Sequence, residues 1–288
     1  MMAIYKREVQ SYFSSLLGYI IVALLTFFFS MFFNIYNLQM GYMSYSVTLQ
    51  AMLLFFFLSV PILTMRTFAE ERRQRTDQIL LTSPVSVSSI VIAKYFSVMT
   101  VLAIPLLISC CFPLIISFLG EATLLKDYCT IFAFFCMCSL FVSNGVFISS
   151  LTDNQIIAVF VTVCVLFALY LFDGLVALIP ETPLVSCIGF LVVISITAII
   201  LRVSTRNNGL VFLVTIGLLL ILAFFAGLAW DKMAGTFNSF LSIFSVVPVL
   251  QNFSNDAIFD IKGIFYFISF TALFLFLTVQ SIQKRRWN

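Results

Sequence analysis

Residues 49–86 decide the reading. They run Leu49-Gln-Ala-Met-Leu-Leu-Phe-Phe-Phe-Leu-Ser-Val-Pro-Ile-Leu-Thr-Met65, then Arg66-Thr-Phe-Ala-Glu70-Glu71-Arg72-Arg73-Gln74-Arg75-Thr76-Asp77-Gln78-Ile79-Leu80-Leu81-Thr82-Ser83-Pro84-Val85-Ser86. The first part carries no charge and approaches the roughly 20 apolar residues that a helix needs to cross a bilayer. The second part is dense in charge and ends on a proline, and it is followed by another apolar run from Ile90. A buried apolar segment, a charged hairpin and a second apolar segment describe two membrane spans joined outside the lipid.

The rest of the chain repeats the pattern. Of 288 residues, 62% are hydrophobic and 9% charged, against about 45–50% and 25% in soluble domains. So little charge cannot cover a water-facing surface, and a soluble globular enzyme is excluded. Eight apolar stretches are long enough to be read as spans: Leu16–Tyr36, Leu49–Met65, Ile90–Leu119, Tyr128–Ser150, Ile156–Ile179, Leu184–Leu201, Leu210–Trp230 and Ile264–Ile282. The third has room to tilt, kink at Pro105 or Pro113, or project, and Pro61 lies inside the second. The expected fold is all-α, a polytopic helical membrane protein of about eight transmembrane helices, six plus an inserted pair. Six spans with a re-entrant pair is the alternative.

Lysine and arginine orient such a protein, because cytoplasmic loops are enriched in them. With the N-terminus inside, Lys6, Arg7, Arg66, Arg72, Arg73, Arg75, Lys94, Arg202, Arg206, Lys284, Arg285 and Arg286 are cytoplasmic, and only Lys126, Lys232 and Lys262 are outside. An N-in, C-in topology with an even number of spans is therefore expected. The first apolar run is too long for a signal peptide and lacks a small-residue cleavage site, so it should stay as an anchor.

Four segments outside the spans invite a function. Residues 1–15 place Met2, Tyr5, Val9, Tyr12 and Leu16 at steps of three and four, with Lys6, Arg7, Gln10 and Ser14 mainly on another face. That is an amphipathic helix suited to the membrane surface. Residues 66–89 form a cytosolic loop. Its stem continues the second span, and Glu71 and Arg75 fall at i,i+4. Thr76 or Asp77 starts a new short helix, Ile79, Leu80 and Leu81 form an apolar tip, and Pro84 ends it. Ser88 or Ser89 is placed to cap the third span. The exposed tip calls for a surface to pack on, in this chain or in a partner. Ser149, Ser150, Leu151, Thr152, Asp153, Asn154 and Gln155 make a very short cytoplasmic turn, with Thr152 or Asp153 as cap of the fifth span. Residues 231–263 face outside, and Phe237–Leu250 is apolar but broken by Asn238, Ser239, Ser242, Ser245 and Pro248. A shallow re-entrant helix or an amphipathic loop fits it.

Chemistry is scarce. The chain has no His, which removes the commonest metal ligand and the usual general base. Its seven Cys (Cys110, Cys111, Cys129, Cys136, Cys138, Cys164 and Cys187) lack zinc-type spacing and read as small packing residues. Asp173 lies near the outer end of the fifth span, where a snorkelling or locally paired acid is expected.

These residues resemble a known family. Glu70-Glu71-Arg72 followed by Thr76-Asp77-Gln78-Ile79-Leu80-Leu81-Thr82-Ser83-Pro84-Val85-Ser86 resembles the stem and tip of type-2 ATP-binding-cassette (ABC) exporter permeases. Ile4-Tyr5-Lys6-Arg7-Glu8 with Tyr12-Phe13-Ser14-Ser15 resembles their N-terminal elbow. The turn Ile148–Gln155 and the tail from Phe253 to Trp287 also match, and the likeness is greatest to the gliding-motility-associated branch. Members of that branch usually have six spans, so 184–230 looks like an extra pair.

The resemblance implies a bacterial plasma-membrane permease that pairs with a second copy or a homologous permease and docks two cytosolic ATPase subunits. Those subunits, not this chain, would bind ATP and Mg, since the sequence has no G-x-x-x-x-G-K-[ST] phosphate loop. The coupling surface would comprise Glu70, Glu71, Arg72, Arg75, Asp77, Ile79, Leu80, Leu81, Thr82, Ser83 and Pro84. The elbow would contribute Tyr5, Lys6, Arg7, Glu8, Tyr12 and Phe13, and the turn Ser150, Thr152, Asp153, Asn154 and Gln155. No catalytic or metal residue is expected. The other readings are an intramembrane enzyme, which lacks convergent catalytic groups, a secondary transporter, which lacks midplane charges, and a non-transporting membrane anchor for a partner ATPase.

Overall fold

The computed structural model describes residues 1–75, 85–120, 123–205, 208–228, 230, 233–255 and 260–287. The Asp77–Pro84 tip, Arg206 and Lys232 lie outside the described residues. Within them every regular element is a helix. The chain divides into two units, one of residues 1–168 with 248–288 and one of residues 169–247.

The first unit begins with α1 (Met2–Ser14), a bend at Ser15 and α2 (Leu16–Phe32). Ser15 is extended, with φ −93° and ψ 150°. Gly18 makes the bend compact: a Cβ there would lie 2.5 Å from the Tyr12 carbonyl oxygen, so any side chain would push α1 off the start of α2. A π-helical turn (Phe33–Gln39) widens the far end of α2.

Helix α3 (Ser46–Arg73) has 28 residues and at 1.5 Å per residue is about 42 Å long. That exceeds the roughly 30 Å hydrocarbon core, so its charged last turns have length to stand clear of it. Pro61 lies inside α3 without ending it. Helix α4 (Val87–Ser109) stops at Cys110 and the chain resumes as α5 (Cys111–Leu119). Pro113 explains the break, because it has no N–H to offer the carbonyl of Ser109 and its ring crowds that carbonyl. Pro105, inside α4, does not interrupt it.

Helix α6 (Leu124–Leu151) is the most enveloped span, packed by α3, α4 and the last helix, α12 (Ile261–Trp287). Phe56 of α3 meets Phe134 of α6 edge to face at 4.9 Å, and Phe57 meets Phe141 at 5.4 Å. Gly145 lets the two backbones approach, since a methyl there would come within 2.9 Å of the Thr64 Cβ. Small residues at such crossings are how helices pack closely in lipid. Helix α7 (Gln155–Ala177) follows α6 after a three-residue turn and runs into the second unit.

The second unit holds the end of α7, then α8 (Pro183–Thr205), α9 (Asn208–Leu228) and the short α10 (Thr236–Ser242). Helices α8 and α9 pack on each other, and α10 lies against α8 with Phe190 and Phe237 at 5.4 Å. Ser245 donates to the Asp173 carboxylate at 3.2 Å, so the acid near the end of α7 has a local hydroxyl partner. The Phe237–Leu250 stretch is not one helix: α10 ends at Ser242 and α11 (Val247–Asn255) starts beyond it. The polar residues and Pro248, which cannot continue a preceding helix, account for the interruption.

Six helical stretches among the described residues are long and apolar enough to cross a membrane: Leu16–Gln39, Ser46–Arg73, Val87–Leu119, Leu124–Leu151, Gln155–Ala177 and Ile261–Lys284. The apolar parts of α8 and α9, Pro183–Ile199 and Val211–Phe224, are shorter.

Candidate functional site

Three sequence segments that are remote in the chain meet at one end of the first unit. Helix α1 supplies Arg7, Glu8 and Tyr12, the end of α3 supplies Arg66, Glu70, Glu71 and Arg72, and the turn after α6 supplies Asp153. Helix α4 adds Lys94, about two turns past its start.

Lys94 is the centre. Its side chain is 0% exposed, and its Nζ donates to Glu71 Oε1 at 2.8 Å and to Glu8 Oε1 at 3.1 Å. The ammonium also lies 5.2 Å from the centroid of Phe68, a cation–π distance. Burying a lone ammonium costs several kcal/mol or more, so the two carboxylates are what make this position tenable. Arg7, 59% exposed, reaches both acids from the solvent side, 3.0 Å from Glu8 and 3.5 Å from Glu71. One cation from α4 thus ties α1 to α3, with a second cation screening the pair.

Neutral hydrogen bonds reinforce the same junction. The Tyr12 hydroxyl donates to the Leu63 carbonyl at 3.0 Å, and Tyr5 pairs with Thr100 of α4 at 2.8 Å. Burial, with Glu8 adding to it, pushes the Tyr12 phenol well above its usual range, so it stays a donor. Arg66 donates to Ser15 Oγ at 3.1 Å and pairs with Glu70 at 3.5 Å.

On the α6 side, Ser149 Oγ accepts from the Phe68 and Ala69 amides at 3.2 and 3.1 Å and donates to the Met65 carbonyl at 3.3 Å. A side chain of one helix has entered the backbone ladder of another. Arg72, 8% exposed, then meets Asp153 at 3.3 Å. Helix α3 is held on two sides just before its charged stem.

Several expectations are adjusted. The predicted Glu71–Arg75 alignment assumes continuous helix, but α3 ends at Arg73 and Arg75 turns left-handed at φ 56°, while short contacts of Glu71 go to Lys94 and Arg7. Asn154, not Thr152 or Asp153, caps α7: its Oδ1 accepts from the Ile156 amide at 2.9 Å, the usual reach of a capping side chain. Asp153 is taken by Arg72. Ser86 occupies the position before α4, and Ser88 and Ser89 lie inside its first turn. On α1, Lys6, Arg7, Gln10 and Ser14 are exposed and Tyr12 is buried, as the spacing requires, but Met2 is exposed as well, and Leu16, also exposed, is the first residue of α2. Phe13 packs against Tyr19 at 5.4 Å, across the bend. Ser150 is buried and donates to the Phe147 carbonyl, so it belongs to the end of α6 and not to the turn surface.

Sequence reasoning missed the roles of Lys94, of Thr100 as partner of Tyr5 and of Gly145, and it read Ser149 only as part of the cytoplasmic turn. Lys94 was visible only as one more inside cation. Its signal was position: it stands inside an apolar run, where a lysine needs a partner.

A second polar cluster lies at the opposite end of the unit. Asp127 of α6, fully buried, accepts from the Tyr45 amide at 3.0 Å and Ser44 Oγ at 3.2 Å. Nearby, Asn37 of the π-helical turn donates to the Tyr42 and Ser44 carbonyls at 2.7 and 3.1 Å and accepts from Thr48 at 2.8 Å. It fastens the connection between α2 and α3. Among the described residues, no group of three or more His, Cys, Asp or Glu is placed to hold a metal.

This arrangement has no nucleophile with a paired base. What it does chemically is hold: it makes α1, the α3 stem, the start of α4 and the turn after α6 one electrostatically closed junction. The family model described as ABC-2 family transporter protein matches residues 35–230, more than half of the chain. No curated protein matches it.

Proposed function

The chain belongs to the ABC-2 family of transporter proteins, and from that premise we propose that this permease is the membrane half of an exporter driven by a separate cytosolic ATPase. The observation that carries the reading is the Lys94 junction. The charged end of α3, residues 66–73, is the stem from which the coupling loop departs, and it is held to α1, α4 and the turn after α6. A force applied to the tip therefore reaches four helices together.

In this reading the elbow α1 lies on the cytoplasmic surface with Lys6, Arg7 and Phe13 at the interface. The tip Ile79–Leu81, closed by Pro84, enters a groove of the ATPase, and Glu70, Glu71, Arg72, Arg75, Asp77, Thr82 and Ser83 frame it. Two permease chains pair, each with one ATPase that binds ATP and Mg. ATP-driven closure of the ATPases pushes the stems, and the halves rock between two packed arrangements. The push does work only through contacts that differ between the two states.

The same reading gives eight spans, N-in and C-in. Helices α8 and α9, with 23 and 21 residues, reach about 35 and 32 Å at 1.5 Å per residue, enough to span as the inserted pair. Residues 237–250 dip from the outer side, the chain sits in a bacterial plasma membrane, and it falls in the gliding-motility-associated branch.

The experiment is co-expression with the cognate ATPase. Replacing Leu80 and Leu81 together by Asp should abolish both co-purification and stimulation of ATP turnover while the helical content stays unchanged. Co-purification at undiminished yield would refute the docking role.

A further inference from the structure

A groove of about 690 Å³ opens between α2 and α3. Its walls are two stripes at helical spacing: Ile20, Leu24 and Phe28 on α2, and Leu58 and Ile62 on α3. At one end the Phe28 and Phe55 rings close it, with centroids 3.7 Å apart. At the other end stand Arg66 and Ser15. Leu24 and Leu58 are 41% and 52% exposed, so the groove opens outward from the bundle.

Two features identify an occupant. The first is length. From Ser15 to Phe28 is 13 residues along the chain, about 20 Å at 1.5 Å per residue. Half of the roughly 30 Å hydrocarbon core plus part of the headgroup layer is the same depth. The groove thus traverses one leaflet and stops near the midplane.

The second is charge. A guanidinium has five N–H donors. Arg66 uses Nη1 on Ser15 at 3.1 Å and Nε toward Glu70 at 3.5 Å, which leaves N–H groups over at the groove mouth. An apolar slot one leaflet deep with a guanidinium at its polar end complements one acyl chain beneath a phosphate.

We propose that this groove binds an anionic glycerophospholipid of the cytoplasmic leaflet, with its phosphate on Arg66 and one acyl chain along Ile20, Leu24 and Phe28. The assignment to that leaflet rests on the N-in orientation proposed above. Because Arg66 also holds Ser15 at the bend between α1 and α2, the lipid sits where it steadies the elbow.

The test is native mass spectrometry of the full-length chain, purified in detergent and exposed to an equimolar mixture of phosphatidylglycerol and phosphatidylcholine. The wild type should retain one phosphatidylglycerol per chain in preference to phosphatidylcholine. Leu58→Trp, which fills the slot at an exposed position, should lose retention of both. Arg66→Gln should lower phosphatidylglycerol retention by about tenfold, the worth of one charge-assisted contact. Arg66→Lys should recover most of it, and melting curves should confirm that every variant folds.

Equal retention of the two lipids by the wild type, or undiminished phosphatidylglycerol in Leu58→Trp, would overturn the proposal. So would a Leu24→Cys disulfide between two copies in native membranes, which would give the groove to a second chain. Orientation is read separately, by labelling Arg73→Cys from each side of the membrane. A reversed label would refute the leaflet and leave the groove result standing.

Discussion

Replacing Lys94 by Met tests whether the buried cation holds the elbow. Met keeps the length and apolar stem of the side chain and removes only the ammonium. Glu8 and Glu71 then lose partners at 3.1 and 2.8 Å. Removing one member of a buried ion pair costs about 3–5 kcal/mol. Here the carboxylates are 13% and 19% exposed, and Arg7 remains 3.0 and 3.5 Å from them, so solvent and Arg7 recover part, and about 2–3 kcal/mol remains.

That loss falls on the docking of α1, which should open locally and not with the whole bundle. At 1.4 kcal/mol per factor of ten, about 2 kcal/mol is about thirtyfold. Amide hydrogen exchange over residues 2–14 should therefore accelerate about thirtyfold in Lys94→Met, while exchange in α6 stays near the wild-type rate. A cycle with Glu8→Gln should give a coupling of about 1–2 kcal/mol, because the two groups touch. Exchange in α1 within about twofold of wild type, or additivity of the two substitutions, would refute the view that Lys94 ties α1 to α3.

Two further outcomes follow from the same geometry. Gly145→Ala should destabilise the bundle by about 1–3 kcal/mol through overpacking against Thr64, read as a lowered melting temperature, with Thr64→Ala recovering part of the loss in the double variant. Tyr12→Phe removes a buried hydrogen bond to Leu63 and should cost about 1 kcal/mol. The folded-state phenol lies above its unfolded value of about 10. The unfolded chain is therefore first to release the proton, and stability is unaffected below about pH 10 and falls above it. Tyr12→Phe should abolish that alkaline component, and an unchanged alkaline slope would contradict the burial of Tyr12.

The junction was only partly legible. Arg7, Glu8, Glu71, Arg72 and Asp153 were each singled out, but as members of separate segments, because nothing local in the chain records that residues 8, 71 and 94 share a site. The left-handed turn at Arg75 was hidden for a similar reason. Glycine is the residue that advertises such a turn, and arginine does not. Asn154 was passed over as a cap because three residues in a row carry capping side chains, and only the pull of Arg72 on Asp153 separates them.

By itself, the sequence determined that the protein is helical and belongs in a membrane, since long uncharged stretches with so little charge elsewhere leave the backbone no other way to satisfy its hydrogen bonds in lipid. It also determined where charge stands outside those stretches. Which charges meet was decided only by tertiary structure. Ion pairing depends on how α1, α3 and α4 cross, and the crossings are set by packing at particular contacts, Gly18 under Tyr12 and Gly145 against Thr64, that periodicity along the chain does not encode.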